Sequence, residues 1–380
     1  MIAKNRTIIS LYSSVFLIIS LLTAYFPLWL NEALEIDAKY IGFILSFSGI
    51  LKVFFSLMLV TYLKSSKYYK PVLIYINSLL FLIFLFIFSY GELLSLNFIL
   101  IITIGFLILF APVLPIIESL YSHLVKEALK NYGKIRISGS ISFCLGVFIF
   151  GYLINNYSLS IFPLIFTFSL GLLLVSIIML PKNLSIKNHL NKSTFNNLSK
   201  NNNIYFYLII CSLLQATHAM YYGYSTIVWQ QKGFSFFLIG LLWSFAIFSE
   251  VLVFFFIDRY FKGSYFYNSL LFCAALTFLR WILTYFIENF YFLLLIQTLH
   301  GVSFALTHYI MIYFINSKVN KESKLLAQTT YHTLTGGFFI TILTISCGYI
   351  MSYNSGEIGY LLMSLLALGC LVFMIIKRKV

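Results

Sequence analysis

The chain alternates long apolar runs with short polar interruptions. Apolar runs fall at about 7–30, 40–60, 71–90, 97–121, 136–155, 160–180, 204–229, 236–257, 265–287, 290–315, 325–352 and 357–376. An α-helix needs roughly 20 such residues to cross a hydrocarbon layer ~30 Å thick. Twelve membrane-spanning helices are therefore predicted. Most connections are short, as at 92–97, 155–160 and 288–289. The exception is 181–203, a polar Lys/Asn/Ser stretch without an acidic residue. It divides the chain into a first bundle of six helices over 1–180, a linker, and a second bundle of six over 204–380. The first run is too long for a signal-peptide core and lacks a small-x-small cleavage site, so it is expected to remain as the first span.

Composition removes the alternatives. Of 380 residues, 61% are apolar or aromatic and 9% are charged, and the mean hydropathy is +0.95. A soluble domain carries about 25% charged residues, so a soluble enzyme, a secreted disulfide scaffold and a disordered chain are all excluded. The five cysteines (Cys144, Cys211, Cys273, Cys347 and Cys370) lie in apolar runs with no metal or redox spacing. They read as small packing residues.

The net charge of +14 acquires a meaning once its distribution is followed. With the N-terminus on the cytoplasmic side, 21 of the 25 basic residues fall on inner segments and two, Lys39 and Lys232, on outer ones. That bias predicts both termini in the cytoplasm of a bacterial-type inner membrane, and it accounts for the basic balance without a nucleic-acid partner.

The two remaining bases, Lys52 and Arg280, lie inside apolar runs, as do the acids Glu118 and Glu250. A charge at the bilayer centre costs roughly 2.5–3.5 kcal/mol on insertion scales, so these positions need a reason. Counted from the outer end of each run at about 1.5 Å per residue, Arg280 lies ~10 Å deep, His300 ~14 Å, His218 ~16 Å, Lys52 ~18 Å and Glu250 ~21 Å. Glu118 and Arg136 both lie ~30 Å deep by the same rise. Two groups emerge: a mid-depth set of His218, Glu250, Arg280 and His300, with His308 slightly lower, and a Glu118/Arg136 pair on adjacent spans. Glu250 has two readings, a structural partner locking Arg280 or a carboxylate that loads and releases a proton; burial beside histidines and an arginine favours the second. Each histidine likewise reads as an interhelical hydrogen bonder or as a proton relay. Glu118 could snorkel to the inner interface, and Arg136 could be one more inner charge.

The seventh run places Gln215, His218, Tyr222, Ser225 and Trp229 at steps of three and four, one polar-aromatic stripe of a helix. With aromatics at 19% of the chain, such a stripe reads as packing or as a cavity lining. Phe143 in the fifth run is a further candidate ring. Catalytic equipment is missing from the sequence: there is no phosphate-binding Gly-rich loop, no His-Glu-x-x-His and no nucleophile elbow. Neither an enzyme nor an ATP-driven pump is expected, and no metal or cofactor.

Two six-helix halves joined by a basic inner loop resemble the major facilitator superfamily. Its parallel repeats place substrate near the midplane between the halves. Asp258-Arg259-Tyr260-Phe261-Lys262 after the eighth run resembles part of that superfamily's inner-loop motif, which implies a cytoplasmic gate at Asp258 and Arg259. The corresponding loop at 64–70 lacks the acidic residue.

A narrower resemblance is carried by Phe110-Ala-Pro-Val-Leu-Pro115 leading to Glu118, Tyr132-Gly-Lys-Ile-Arg136, Gln215-Ala-Thr-His-Ala-Met-Tyr-Tyr-Gly223, Phe248-Ser-Glu250, Leu279-Arg-Trp281 and Thr298-Leu-His300 through His308. Together they resemble the 3-phenylpropionic acid transporter family of proton-linked carriers. More distantly the chain is similar to the lactose permease family: Glu118 and Arg136 match its sugar-binding pair, and Arg280 and His300 its coupling pair. Phe143 stands where that family has a stacking Trp, and Gln297 and Ser303 where it has a Lys and a proton-binding Glu. The departures argue against galactoside binding and move the proton site to Glu250.

The resemblance and the buried charges together imply a symporter that imports a small organic solute with protons by alternating access. The implied solute is an aromatic monocarboxylate such as 3-phenylpropionate. Proton coupling is expected at Glu250, His300 and Arg280. Substrate contacts are expected from Lys52, Glu118, Arg136, Phe143, His218, Tyr222, Trp229 and His308. The alternatives are a sugar or nucleoside symporter and a proton-antiport exporter. Its partners would be the solute, protons and the lipid bilayer, and it is expected to act as a monomer.

Overall fold

A computed structural model describes residues 2–62, 68–117, 128–180, 202–261, 263–319, 324–354 and 356–378. Among these the chain is helical throughout, as it must be where no water can satisfy backbone N–H and C=O groups. The principal helices are α1 (Ile2–Ala24), α2 (Ala38–Tyr62), α3 (Tyr69–Tyr90), α4 (Leu96–Phe110), α5 (Ala128–Tyr157) and α6 (Phe162–Ile178). They continue as α7 (Asn202–Ala216), α8 (Ala219–Gln231), α9 (Phe236–Tyr260), α10 (Phe266–Phe286), α11 (Phe290–Gln297) and α12 (Thr307–Lys318). The last are α13 (Lys324–His332), α14 (Ile340–Tyr353) and α15 (Ile358–Arg378). Eleven stretches among the described residues are long and apolar enough to cross a membrane. The predicted second span, the one that carries Lys52, is the continuous 25-residue helix α2. The predicted seventh span is α7 and α8 in series, the tenth is α11 and α12, and the eleventh is α13 and α14.

The described residues form two compact units. One comprises 1–36, 47–190 and 234–244, the other 37–46, 191–233 and 245–380. In the first, α1 lies along α5 and α6, and α3 along α6. The Tyr25 hydroxyl donates to the carbonyl of Val147 at 2.6 Å, and the Asn77 amide donates to Leu170 O at 3.0 Å. Phe84, Phe106 and Phe166 stack in one aromatic cluster. In the second unit α10 lies against α15, α8 against α14, and α7 against both α15 and the segment before α14. Its core is built on Leu208, Cys211, Leu214, Cys273, Ala274, Met311 and Cys370. All five cysteines are free thiols.

At one end of the second unit the first turns of α2 meet α14 almost main chain to main chain. The Tyr224 hydroxyl lies between them, bonded to Ala38 O at 3.3 Å and Thr344 O at 3.0 Å. A Cβ on Gly42 or Gly348 would come within 2.6 Å of that hydroxyl, so only glycine permits the approach. Asp37 accepts from the Ser352 hydroxyl, and Ser46 donates to Thr341 O at 2.9 Å.

Candidate functional site

Two breaks in the backbone build the site. The helix of α7 stops at Ala216, and His218 starts α8. The freed carbonyl of Gln215 is taken by the His218 backbone N–H at 3.2 Å and by His218 Nδ1 at 2.9 Å. Thr217 donates to Leu214 O and accepts from the Trp281 indole at 2.9 Å. The second break follows α11. Thr298 and Leu299 make tight bonds to the carbonyls three residues back, and Gly301–Leu306 then widens into a π-helical turn. Such turns leave backbone groups to be satisfied from elsewhere. Here the Gly301 N–H donates to the Ser249 hydroxyl of α9 at 2.9 Å. A side chain on Gly301 would clash with the carbonyl of Ser249 at 2.6 Å. That close approach carries Glu250, the next residue along α9, up to His300.

Between the breaks lies Arg280 of α10, fully buried. Its NH1 donates to His300 Nδ1 and to Ser303 Oγ, each at 2.9 Å. Its NH2 donates to Gln297 Oε1 at 3.1 Å. The guanidinium lies over the rings of Trp281 and Tyr221, at 4.3 and 4.6 Å from their centroids. Arginine has donors and no acceptor, so His300 Nδ1 must accept, and the ring proton of neutral His300 sits on Nε2. That nitrogen faces Glu250 Oε2 at 3.8 Å. The separation is longer than a hydrogen bond, and it is an ion pair only when the imidazole is protonated. His218 and His300 meet edge to face, centroids 5.4 Å apart, with Phe304 stacked on His300 at 5.1 Å. His218, Arg280, His300 and Ser303 are wholly buried and Glu250 is 6% exposed. A buried guanidinium is costly unless its donors are met and its charge compensated. Neutral acceptors meet NH1 and NH2, while the Nε–H has no hydrogen-bond partner among the described residues; Glu250 lies on the far side of the imidazole.

The structure thus gathers the predicted Glu250, Arg280, His300 and His218 into one cluster of the second unit. Tyr222 stacks on His218 at 5.8 Å, and Trp229 is buried against Tyr221. The rest of the seventh-run stripe is packing: the Gln215 amide donates to Phe304 O at 2.7 Å and Ser225 bonds the Tyr360 hydroxyl at 2.6 Å. His308 lies apart from the cluster, stacked on Tyr331 and 5.9 Å from the ring of His332. Lys52, half-buried on α2, and Phe143, buried on α5, belong to the first unit. Asp258 and Arg259 end α9, Arg259 exposed and resting on Tyr260. Glu118 lies outside the described residues, and for Arg136, on α5, the described part is the backbone. A cavity of about 590 Å³ lined by Tyr207, Tyr313, Ser317 and Lys318 contains none of the predicted site residues. No group of three or more metal-ligating side chains occurs among the described residues.

Gln297 and Ser303 stand in the sequence as departures from the lactose permease family, whereas the structure makes them Arg280's acceptors. Neither carries a charge, and the helix is broken around His300, so hydropathy and helical spacing hold no signal for them.

The described residues form an all-helical membrane chain with a buried arginine-histidine-carboxylate cluster. A family model, the MFS_1 like family, matches residues 8–362, and the chain belongs to that family. It is 27% identical over 282 residues, 73% of each chain, to the "Probable 3-phenylpropionic acid transporter" of Escherichia coli (strain K12). It is 23% identical to the "Uncharacterized transporter YwbF" of Bacillus subtilis (strain 168), over 93% of this chain and 87% of that one. Among solved structures, the nucleoside transporter NupG superposes with a TM-score of 0.82 over 99% of both chains, at 16% identity. That last likeness establishes the major facilitator fold.

Proposed function

We propose that the protein is a proton-coupled symporter that imports an aromatic monocarboxylate, 3-phenylpropionate or a close relative, by alternating access. Both termini then lie in the cytoplasm, as the distribution of lysine and arginine implies. Proton coupling falls to Glu250, His300 and Arg280. Lys52, Glu118, Arg136, Phe143, His218, Tyr222, Trp229 and His308 remain the candidates for contact with the solute, and Asp258 and Arg259 for the cytoplasmic gate.

The observation that carries this reading is the 3.8 Å contact between Glu250 and the Nε2 of a His300 already committed to Arg280. With Glu250 ionised, the guanidinium charge is balanced across the imidazole. Protonation of Glu250 leaves the cluster with a net positive charge, an electrostatic demand that a monoanionic solute answers. One proton and one monoanion then cross as a neutral pair. The likeness to the E. coli carrier supports the choice of solute.

The test is uptake of labelled 3-phenylpropionate into proteoliposomes with an inward proton gradient. Glu250→Gln is expected to abolish accumulation against a gradient while exchange of internal for external solute persists. Gradient-driven accumulation by Glu250→Gln would overturn the assignment. Inhibition of uptake by uridine or galactosides instead of by phenylpropionates would move the protein to the nucleoside or sugar class.

A further inference from the structure

The polar chain through the cluster has a fixed direction, and its middle member is Ser303. Arg280 NH1 donates to Ser303 Oγ at 2.9 Å. The same hydroxyl lies 3.2 Å from His218 Nε2. His218 Nδ1 faces the carbonyl of Gln215 at 2.9 Å, and a carbonyl only accepts, so the proton of neutral His218 is on Nδ1. His218 Nε2 therefore accepts, and the Ser303 hydrogen points to it. The two neighbouring histidines are thus held as opposite tautomers, His218 with its proton on Nδ1 and His300 with its proton on Nε2, and Arg280 acts on both.

Ser303 also has a second place for its hydrogen, the carbonyl of His300 at 3.5 Å. When His218 takes a proton on Nε2, the hydroxyl can rotate to that carbonyl and accept from the imidazolium while keeping its bond from Arg280. The titratable and charged groups that meet His218 are Arg280 on α10, His300 after α11 and Tyr222 on its own span; beyond them Glu250 on α9 faces His300, and Tyr221 on that span and Tyr360 on α15 interact with Arg280. Ser303 is a neutral group hydrogen-bonded to both Arg280 and His218.

We propose that Ser303 is a positioning residue for proton coupling, a rotating hydroxyl that makes His218 a second proton station beside Glu250 and His300. Its role in transport rests on the symport reading above; the hydrogen-bond chain stands without it. Bonds to a charged partner are roughly twice as strong as neutral ones, so losing the hydroxyl penalises protonated His218 more than neutral His218.

The experiment is nitrogen-15 NMR of ring-labelled histidines in liposomes from pH 4 to 9, with His218→Gln to assign the signals. Wild type is expected to show neutral His218 protonated on Nδ1 and neutral His300 on Nε2. In Ser303→Ala the His218 midpoint is expected to fall by about one pH unit, tenfold in proton affinity, and Ser303→Thr is expected to restore it. A wild-type His218 protonated on Nε2, or a midpoint unmoved or raised in Ser303→Ala, would overturn the proposal. Should Ser303→Ala fail to fold, the wild-type tautomers still decide. Uptake of 3-phenylpropionate by the same vesicles separates the two readings. Absence of wild-type uptake with the midpoint shift intact refutes the solute and leaves Ser303 in place.

Discussion

Arg280 and His300, twenty residues apart in the chain, are joined through one guanidinium nitrogen and one ring nitrogen at 2.9 Å. The contact fixes which face of the imidazole carries its proton and points that face at Glu250. It also sets three different acceptors around one side chain, which only a planar fork of donors can serve.

Replacing that fork is expected to be costly even with the charge kept. Arg280→Lys has one ammonium for acceptors on three sides and loses the stacking between Tyr221 and Trp281. Initial uptake should fall at least tenfold. Arg280→Ala, which orphans His300 Nδ1 and Gln297 Oε1, should also destabilise the purified protein by about 1–3 kcal/mol for each group left unpaired. Transport assays and thermal unfolding in detergent, run on both variants, check this. Lysine transporting at the wild-type rate would show that charge alone suffices.

The glycines around Tyr224 give a prediction with an internal control. Gly42→Ala and Gly348→Ala each push a methyl to within 2.6 Å of the Tyr224 hydroxyl. Each should destabilise by roughly 1–3 kcal/mol, the usual cost of overpacking. Adding Tyr224→Phe should relieve Gly42→Ala, whose next neighbour is Thr344 O at 3.1 Å. It should relieve Gly348→Ala far less, because Ala38 O still stands at 2.8 Å. Equal rescue of both would contradict the geometry.

Asp37 supplies a pH dependence. The Ser352 hydroxyl and the Lys39 backbone N–H donate to its carboxylate and hold it below its ordinary value of 3.8. A carboxylate depressed on folding contributes stability that is complete above its unfolded value and disappears as pH falls through the folded one. Unfolding midpoints taken between pH 6 and 3 should show a loss below about pH 4 that Asp37→Asn lacks. The carboxylate is mostly exposed, so the effect should be small; parallel curves for the two proteins would exclude it.

Lys232 and Glu357 pair at 2.7 Å with both side chains partly in solvent. Such a pair is worth about 0.2–1 kcal/mol and weakens with salt. A double-mutant cycle with Lys232→Ala and Glu357→Ala should return a coupling of that size at low ionic strength and nearly none in about 1 M salt. A larger, salt-independent coupling would mean that the pair is shielded from water.

The spans were legible because hydropathy counts residues and a bilayer fixes how many are needed. Glu250, Arg280 and His300 were legible as a group because helical rise turns sequence position into depth. The backbone breaks at 217–218 and 301–306 were not, since neither hydropathy nor periodicity responds to one displaced carbonyl. Ser303 and Gln297 were hidden for a related reason. A serine and a glutamine in an apolar run carry no charge to justify, and only the direction of Arg280's donors reveals what they accept. Glycines 42 and 348 take their meaning from a tyrosine on a different helix.

Where α2 begins, the chain is held to α14 by the Tyr224 phenol, the Ser46 and Ser352 hydroxyls and one edge-to-face ring pair, Phe43 and Tyr349. Ala38, Ile41 and Ile44 of the same segment are buried. Residues 37–46 are thus fastened twice, by directional bonds and by apolar surface withdrawn from solvent, and any motion that frees the segment must give up both.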